Sequence, residues 1–229
     1  MKNVKVLIGN YGSGKSELAL NFAIRAAARG DRTELLDLDM VNTYFRLTER
    51  GKLVEQKEIR LVSPNFACSG IETLSLPAEV SSAFVLDWDS VIFDVGGDDV
   101  GATALGRFAR TVEQAPYEML YVVNRSRNLT QEPAEAVEVL REIEAKSHLR
   151  ATCVVNNTHL QHDTDAQVVE QGLPFAQAVA QAAGLPLACT TVPAAAARQV
   201  ADRETTHRAP NGDRQTYYPV QVYVRTPWE

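Results

Sequence analysis

The chain has little of what would place it outside ordinary globular proteins. It carries three cysteines in 229 residues, Cys68, Cys153 and Cys189, an odd and widely spaced set that forms neither a disulfide framework nor a zinc pattern. Cys153 and Cys189 lie inside apolar runs, which suits reduced core thiols in a cytoplasmic protein. The four histidines, His148, His159, His162 and His207, show no metal-ligand spacing, and His159 and His162 fall in a polar stretch that reads as a solvated loop. No run approaches the roughly 18 apolar residues of a membrane span. The opening MKNVKVLIGNYG is too short and polar for a secretory signal. Long blocks of one charge are absent too, and a net charge of −6 gives no basis for general attraction to nucleic acid or anionic membranes.

What is present is a succession of short apolar runs separated by helical stretches. Runs at 4–8, 33–38, 90–95, 119–123, 151–155 and 187–192 are rich in β-branched residues. A helix is expected from about Lys15 to Ala28, closed by Gly30, and an amphipathic one from about Gln131 to Ser147. A weak strand at 59–62, helices near 48–57 and 78–88, and a last strand within 217–224 complete the pattern. Near-continuous apolar strands alternating with helices imply an α/β fold, a three-layer, mostly parallel sheet flanked by helices. With no internal repeat and no linker, residues 1–229 read as one domain. Ligands of such sheets bind at the carboxyl ends of the strands.

Gly9-Asn10-Tyr11-Gly12-Ser13-Gly14-Lys15-Ser16 satisfies G-x-x-x-x-G-K-[ST] between a strand and a helix, so residues 1–229 are expected to form a single P-loop nucleotide-binding domain. A glycine-rich backbone can turn several N–H groups onto a phosphate, and the helix N-terminus adds positive potential. Lys15 would reach the β- and γ-phosphates, and the Ser16 hydroxyl would ligate Mg2+.

Acidic residues gather at two neighbouring strand ends. The run 91–93 ends in Asp94, which suits a carboxylate that orients Mg2+, and Asp94-x-x-Gly97 places a backbone N–H where a γ-phosphate could be sensed. Asp98 and Asp99 follow at once. Asp37 and Asp39 end the second strand, two residues apart and so on one side of it, an expensive pair unless a cation lies between them.

With these segments the chain resembles the MinD/ParA class of P-loop ATPases, the SIMIBI group that also holds the nitrogenase iron protein and CobQ/CobB-type enzymes. Residues 37–42 (DLDMVN) resemble the class's switch I, and 94–101 (DVGGDDVG) its Walker B and switch II. The wording GNYGSGK, DLDxVNxYFR and DVGGDDVGA is closest to one bacterial branch. The resemblance implies that Asp39 or Asp98 positions or activates the attacking water, that Asp94 and Asp39 serve the metal, and that Asn156 or Asn157 reads adenine. Val192-Pro193 resembles the loop that flanks the base. No N-K-x-D follows the fifth of the main strands, so the acidic reader of guanine is missing and ATP is favoured over GTP. A homodimer is implied as well, but Asn10 stands where the class carries its signature lysine; Arg46 and Arg125 are the cations that could substitute.

Three functions compete on these grounds. The first is a Mg2+-dependent ATPase that acts as a nucleotide-controlled switch for a protein partner. The second is a small-molecule kinase or ATP-dependent ligase of CobQ/CobB type, with Tyr44, Arg46, Asn65 and Cys68 around an acceptor. The third is a non-catalytic nucleotide-binding module. Two acidic loops beside the γ-phosphate, without an obvious arginine cluster (Arg125 and Arg127 are the nearest), favour water activation over phosphoryl transfer to an acceptor.

Overall fold

The computed structural model describes residues 3–39, 47, 51–63, 80, 84, 86–126, 132–159, 164–194, 196–197 and 216–223. Tyr44, Arg46, Asn65, Cys68, Arg127, His162 and His207 lie outside the described residues.

Among the described residues, eight strands form a single sheet: β1 (Asn3–Ile8), β2 (Thr33–Leu38), β3 (Arg60–Val62), β4 (Ser90–Val95), β5 (Tyr117–Val123), β6 (Cys153–Asn156), β7 (Leu187–Pro193) and β8 (Tyr217–Val220). Their spatial order is β3-β2-β4-β1-β5-β6-β7-β8, and every pairing is parallel. The helices are α1 (Lys15–Ala28), α2 (Gly51–Gln56), α3 (Asp99–Gly106), α4 (Ala109–Val112), α5 (Pro133–Ser147) and α6 (Ala166–Ala183).

The central strands are buried on both faces, which is why they read as unbroken apolar runs. Alternation divides their side chains between two cores. Leu7, Leu35, Ile92, Leu120 and Val155 pack with Leu18, Leu20 and Ala23 of α1. On the other face Val6, Leu36, Phe93 and Tyr121 meet Leu105 of α3, Leu140 of α5 and Val179 of α6.

The helix ends carry the expected chemistry. Gly14 starts α1 in the left-handed region (φ 89°), and Arg29 and Gly30 close it. Glu132 and Glu135 form a capping box before α5 with Pro133 at its first position, and Asp165 caps α6 by accepting from the Val168 N–H at 2.9 Å. After β8 the chain clamps α1: Gln221 and Asn21 exchange hydrogen bonds of 2.8 and 2.9 Å, and the Tyr223 N–H donates to Glu17 at 2.7 Å.

Strand β1 is the point where the order reverses. The chain passes from it towards β2 on one side and, after β4, towards β5 on the other. The crevice at its carboxyl end is where doubly wound sheets place ligands.

Candidate functional site

The glycine loop leaves β1 at that reversal point. Gly9 has φ 150°, and a Cβ there would fall 2.3 Å from the Val122 carbonyl of β5, so only glycine lets the loop pass so close to the neighbouring strand. The loop then folds back on itself. Ser13 N–H donates to the Asn10 carbonyl at 3.2 Å, and Lys15 Nζ donates to the same oxygen at 3.1 Å. The Asn10 side chain accepts from the Tyr11 N–H at 2.7 Å, and the Tyr11 ring is half exposed.

Lys15 is buried, and burial holds its pKa below the ordinary lysine value. The charges of Asp94, Asp39 and Asp98 oppose that shift, so these three carboxylates lie near enough to act on the lysine although they are spread over about sixty residues of sequence. Asp94 is itself buried, and burial raises its pKa to about 6 against a hydrogen bond from Ser16 and the charge of Lys15. Its neighbour across the ladder is Asp37, which faces it in register from β2. Asp37 is raised as well, first by burial and then by the charge of Asp94. Asp37 accepts from the Asp39 N–H at 2.9 Å. The strand ends at Leu38, so Asp39 lies just past it, half-buried, rather than continuing the alternation that would pair it with Asp37.

The residues fit a hydrated magnesium ion. Asp94 Oδ1 is buried with no hydrogen bond, beside the Ser16 hydroxyl and within a surplus of negative charge. Among the described residues no three histidine, cysteine or carboxylate side chains form a metal cage, so such an ion would complete its shell with phosphate and water oxygens.

The acidic turn after β4 packs directly on the glycine loop. A Cβ on Gly97 would fall 2.5 Å from the Tyr11 nitrogen, and one on Gly96 would fall 3.3 Å from Asp39 Oδ1. Gly101, in the first turn of α3, approaches so closely that a Cβ would lie 2.7 Å from the Gly96 nitrogen. Asp98 caps α3, its Oδ1 accepting from the Gly101 N–H at 2.8 Å. The sequence pattern of strands and helices does not include this helix, although an aspartate three residues before the bonded N–H is a capping signal. Asp99 is exposed and ion-paired with Lys146 of α5.

At the far side of the loop, Asn156 ends β6 and Asn157 follows it, both buried. Asn156 donates to Thr190 Oγ1 at 3.3 Å and accepts from the Thr158 N–H at 3.2 Å. Asn157 Nδ2 donates to the Ser13 carbonyl at 2.7 Å, and its Oδ1 accepts from the Thr191 hydroxyl. His159 is buried, not solvated: its Nε2 would lie 3.7 Å from a Cβ on Gly14, because this segment is drawn against the glycine loop. Pro193 ends β7 in a buried position, and Arg125 is exposed after β5.

No family model matches the sequence, and no curated protein is similar to it. Solved structures are similar in fold. FtsY from Mycoplasma mycoides has a TM-score of 0.56 at 16% identity over 84% of this chain and 60% of that one. The cell division protein FtsY from Thermotoga maritima has a TM-score of 0.53 at 19% identity over 84% of this chain and 62% of that one. The signal recognition particle 54 kDa protein from Aeropyrum pernix K1, solved in complex with GDP, has a TM-score of 0.52 at 20% identity, over 82% of this chain and 41% of that one. The chain therefore spans about three fifths or less of the length of these proteins. Its own architecture is that of the P-loop NTPase fold, a parallel sheet with helices on both faces.

Proposed function

We propose that the chain binds Mg2+ and a nucleoside triphosphate, ATP in preference to GTP, and hydrolyses the terminal phosphate as a nucleotide-controlled switch for a partner. The observation that carries this reading is the convergence of Lys15, Ser16, Asp94 and Asp39 around one end of β1, β2 and β4. In this reading the glycine loop cradles the phosphates, and Ser16 and Asp94 hold the metal, which would supply charge neutralisation between the phosphate oxygens. Asp39 orients the attacking water, being half-buried beside Lys15 and Gly96. Asp98 has a competing duty as the cap of α3, which favours Asp39 for the water.

The preference for ATP rests on 156–159 reading Asn-Asn-Thr-His, which supplies no acidic group to accept from a guanine. The switch reading rests on Gly97, whose contact with Asn10 and Tyr11 makes the turn after β4 responsive to any movement of the cradle. Phosphate release from Mg2+-ATP and Mg2+-GTP, with binding measured alongside, tests the reading. Wild type should bind ATP more tightly and release phosphate from it, and Asp39→Asn should bind while losing release. Absence of binding to both nucleotides would overturn the proposal, and tighter GTP binding would overturn its base preference.

A further inference from the structure

Asn157 stands just past the end of β6, with its backbone N–H and both ends of its amide engaged. The N–H donates to the Val123 carbonyl of β5 at 2.7 Å, Nδ2 donates to the Ser13 carbonyl at 2.7 Å, and Oδ1 accepts from Thr191 of β7. The amide's orientation follows from its partners, since a carbonyl can only accept and the Thr191 hydroxyl can donate. Thr191 is fully buried, and its Oγ1 also lies 3.3 Å from the Asn156 carbonyl. The next residue is held equally closely: Gly172 of α6 packs on Thr158 so tightly that a Cβ there would fall 2.3 Å from the threonine Cβ.

The consequence falls on the cradle. A trans peptide points its C=O and N–H in opposite directions. Drawing the Ser13 carbonyl onto Asn157 therefore turns the Gly14 N–H away from β6. Gly14 is also the first residue of α1's N-terminal turn, held at φ 89°, and the space where its Cβ would sit is filled by Asn157 Nδ2 at 2.3 Å. One side chain thus sets both the direction of a cradle N–H and the seat of the helix N-terminus that faces phosphate.

We propose that Asn157, held by Thr191, is a positioning residue of the phosphate cradle, acting on the triphosphate through Ser13 and Gly14 and not through the base. This inference rests on the nucleotide reading above. It replaces the adenine-reading role that the family resemblance implies for Asn157 with one that is indifferent to the base.

The test compares affinities for ATP, GTP and inorganic tripolyphosphate, each with Mg2+, in wild type, Asn157→Ala, Thr191→Val and Thr191→Ser. Asn157→Ala should weaken all three ligands by one common factor of about tenfold, the loss of a buried hydrogen bond. Thr191→Val should weaken all three in the same sense, and Thr191→Ser, which keeps the hydroxyl, should restore wild-type affinity. The threonine pair carries the test if Asn157→Ala fails to fold. A loss confined to one nucleotide, with tripolyphosphate unchanged, would overturn the proposal and make Asn157 a base reader. Unchanged affinities in folded Asn157→Ala and Thr191→Val would overturn it equally. Wild-type protein that binds none of the three ligands would instead overturn the nucleotide reading itself, and that is visible before any variant is compared.

Discussion

Two carboxylates side by side inside a sheet are held there against both burial and mutual repulsion, and Asp37 and Asp94 are such a pair. The protein offsets part of that cost with the Asp39 N–H on Asp37 and with Ser16 and Lys15 on Asp94. In the proposed reading a divalent cation would offset the remainder. Asp94→Asn removes one charge and leaves the shape, so the variant should bind nucleoside triphosphate with an affinity that no longer depends on Mg2+. Wild-type affinity should rise with Mg2+ in the same titration. A Mg2+ response that survives in Asp94→Asn would show that another residue orients the metal.

At the scale of elements, the strands were accessible to sequence reading because parallel strands covered on both faces must be apolar throughout. The boundaries expected for β2, β4 and α1 coincide with those observed. Short elements whose reason for existing is tertiary were not accessible. Helix α3 contains two glycines, and it exists because Asp98 caps it and Gly101 lets it lie on Gly96. The role of Asn157 was hidden for the same cause: its partners Ser13 and Thr191 become neighbours only through the strand order. Composition shows still less at the β2–β3 edge. There Glu34 is buried, with Arg60 3.3 Å away and neither carboxylate oxygen hydrogen-bonded. Burial raises its pKa from 4.5 to about 7 against the attraction of Arg60. The folded protein therefore keeps a proton that the unfolded chain releases, and stability falls as pH rises between about 4.5 and 7. Glu34→Gln should flatten that part of the profile and leave the variant more stable than wild type above pH 7. Urea unfolding at several pH values measures it, and an unchanged slope would remove Glu34 as its source.

For the whole molecule, the proposed ligand site is a junction. The glycine loop rises from β1 against β5, its flanking carboxylates come from β2 and β4, and its brace from β6 and β7, so six of the eight strands among the described residues meet there. The C-terminal segment after β8 fastens the same α1 through Asn21 and Glu17. A triphosphate seated at that junction binds the folded chain and not the unfolded one. At a hundred times its dissociation constant it stabilises the fold by about 2.7 kcal/mol. In a domain of this size that corresponds to a rise in melting temperature of roughly 5–10 °C. Mg2+-ATP should produce such a shift in wild type. Lys15→Ala should fold but show almost none, because Lys15 is the buried cation between the loop and its three carboxylates. A full shift in Lys15→Ala would mean that the stabilising ligand sits elsewhere, and the junction would then be structural alone. A shift lost together with the fold would be diagnosed by circular dichroism of the ligand-free variant. In that case Ser16→Ala, which leaves the buried charges in place, decides the matter by whether the Mg2+-dependent part of the shift disappears.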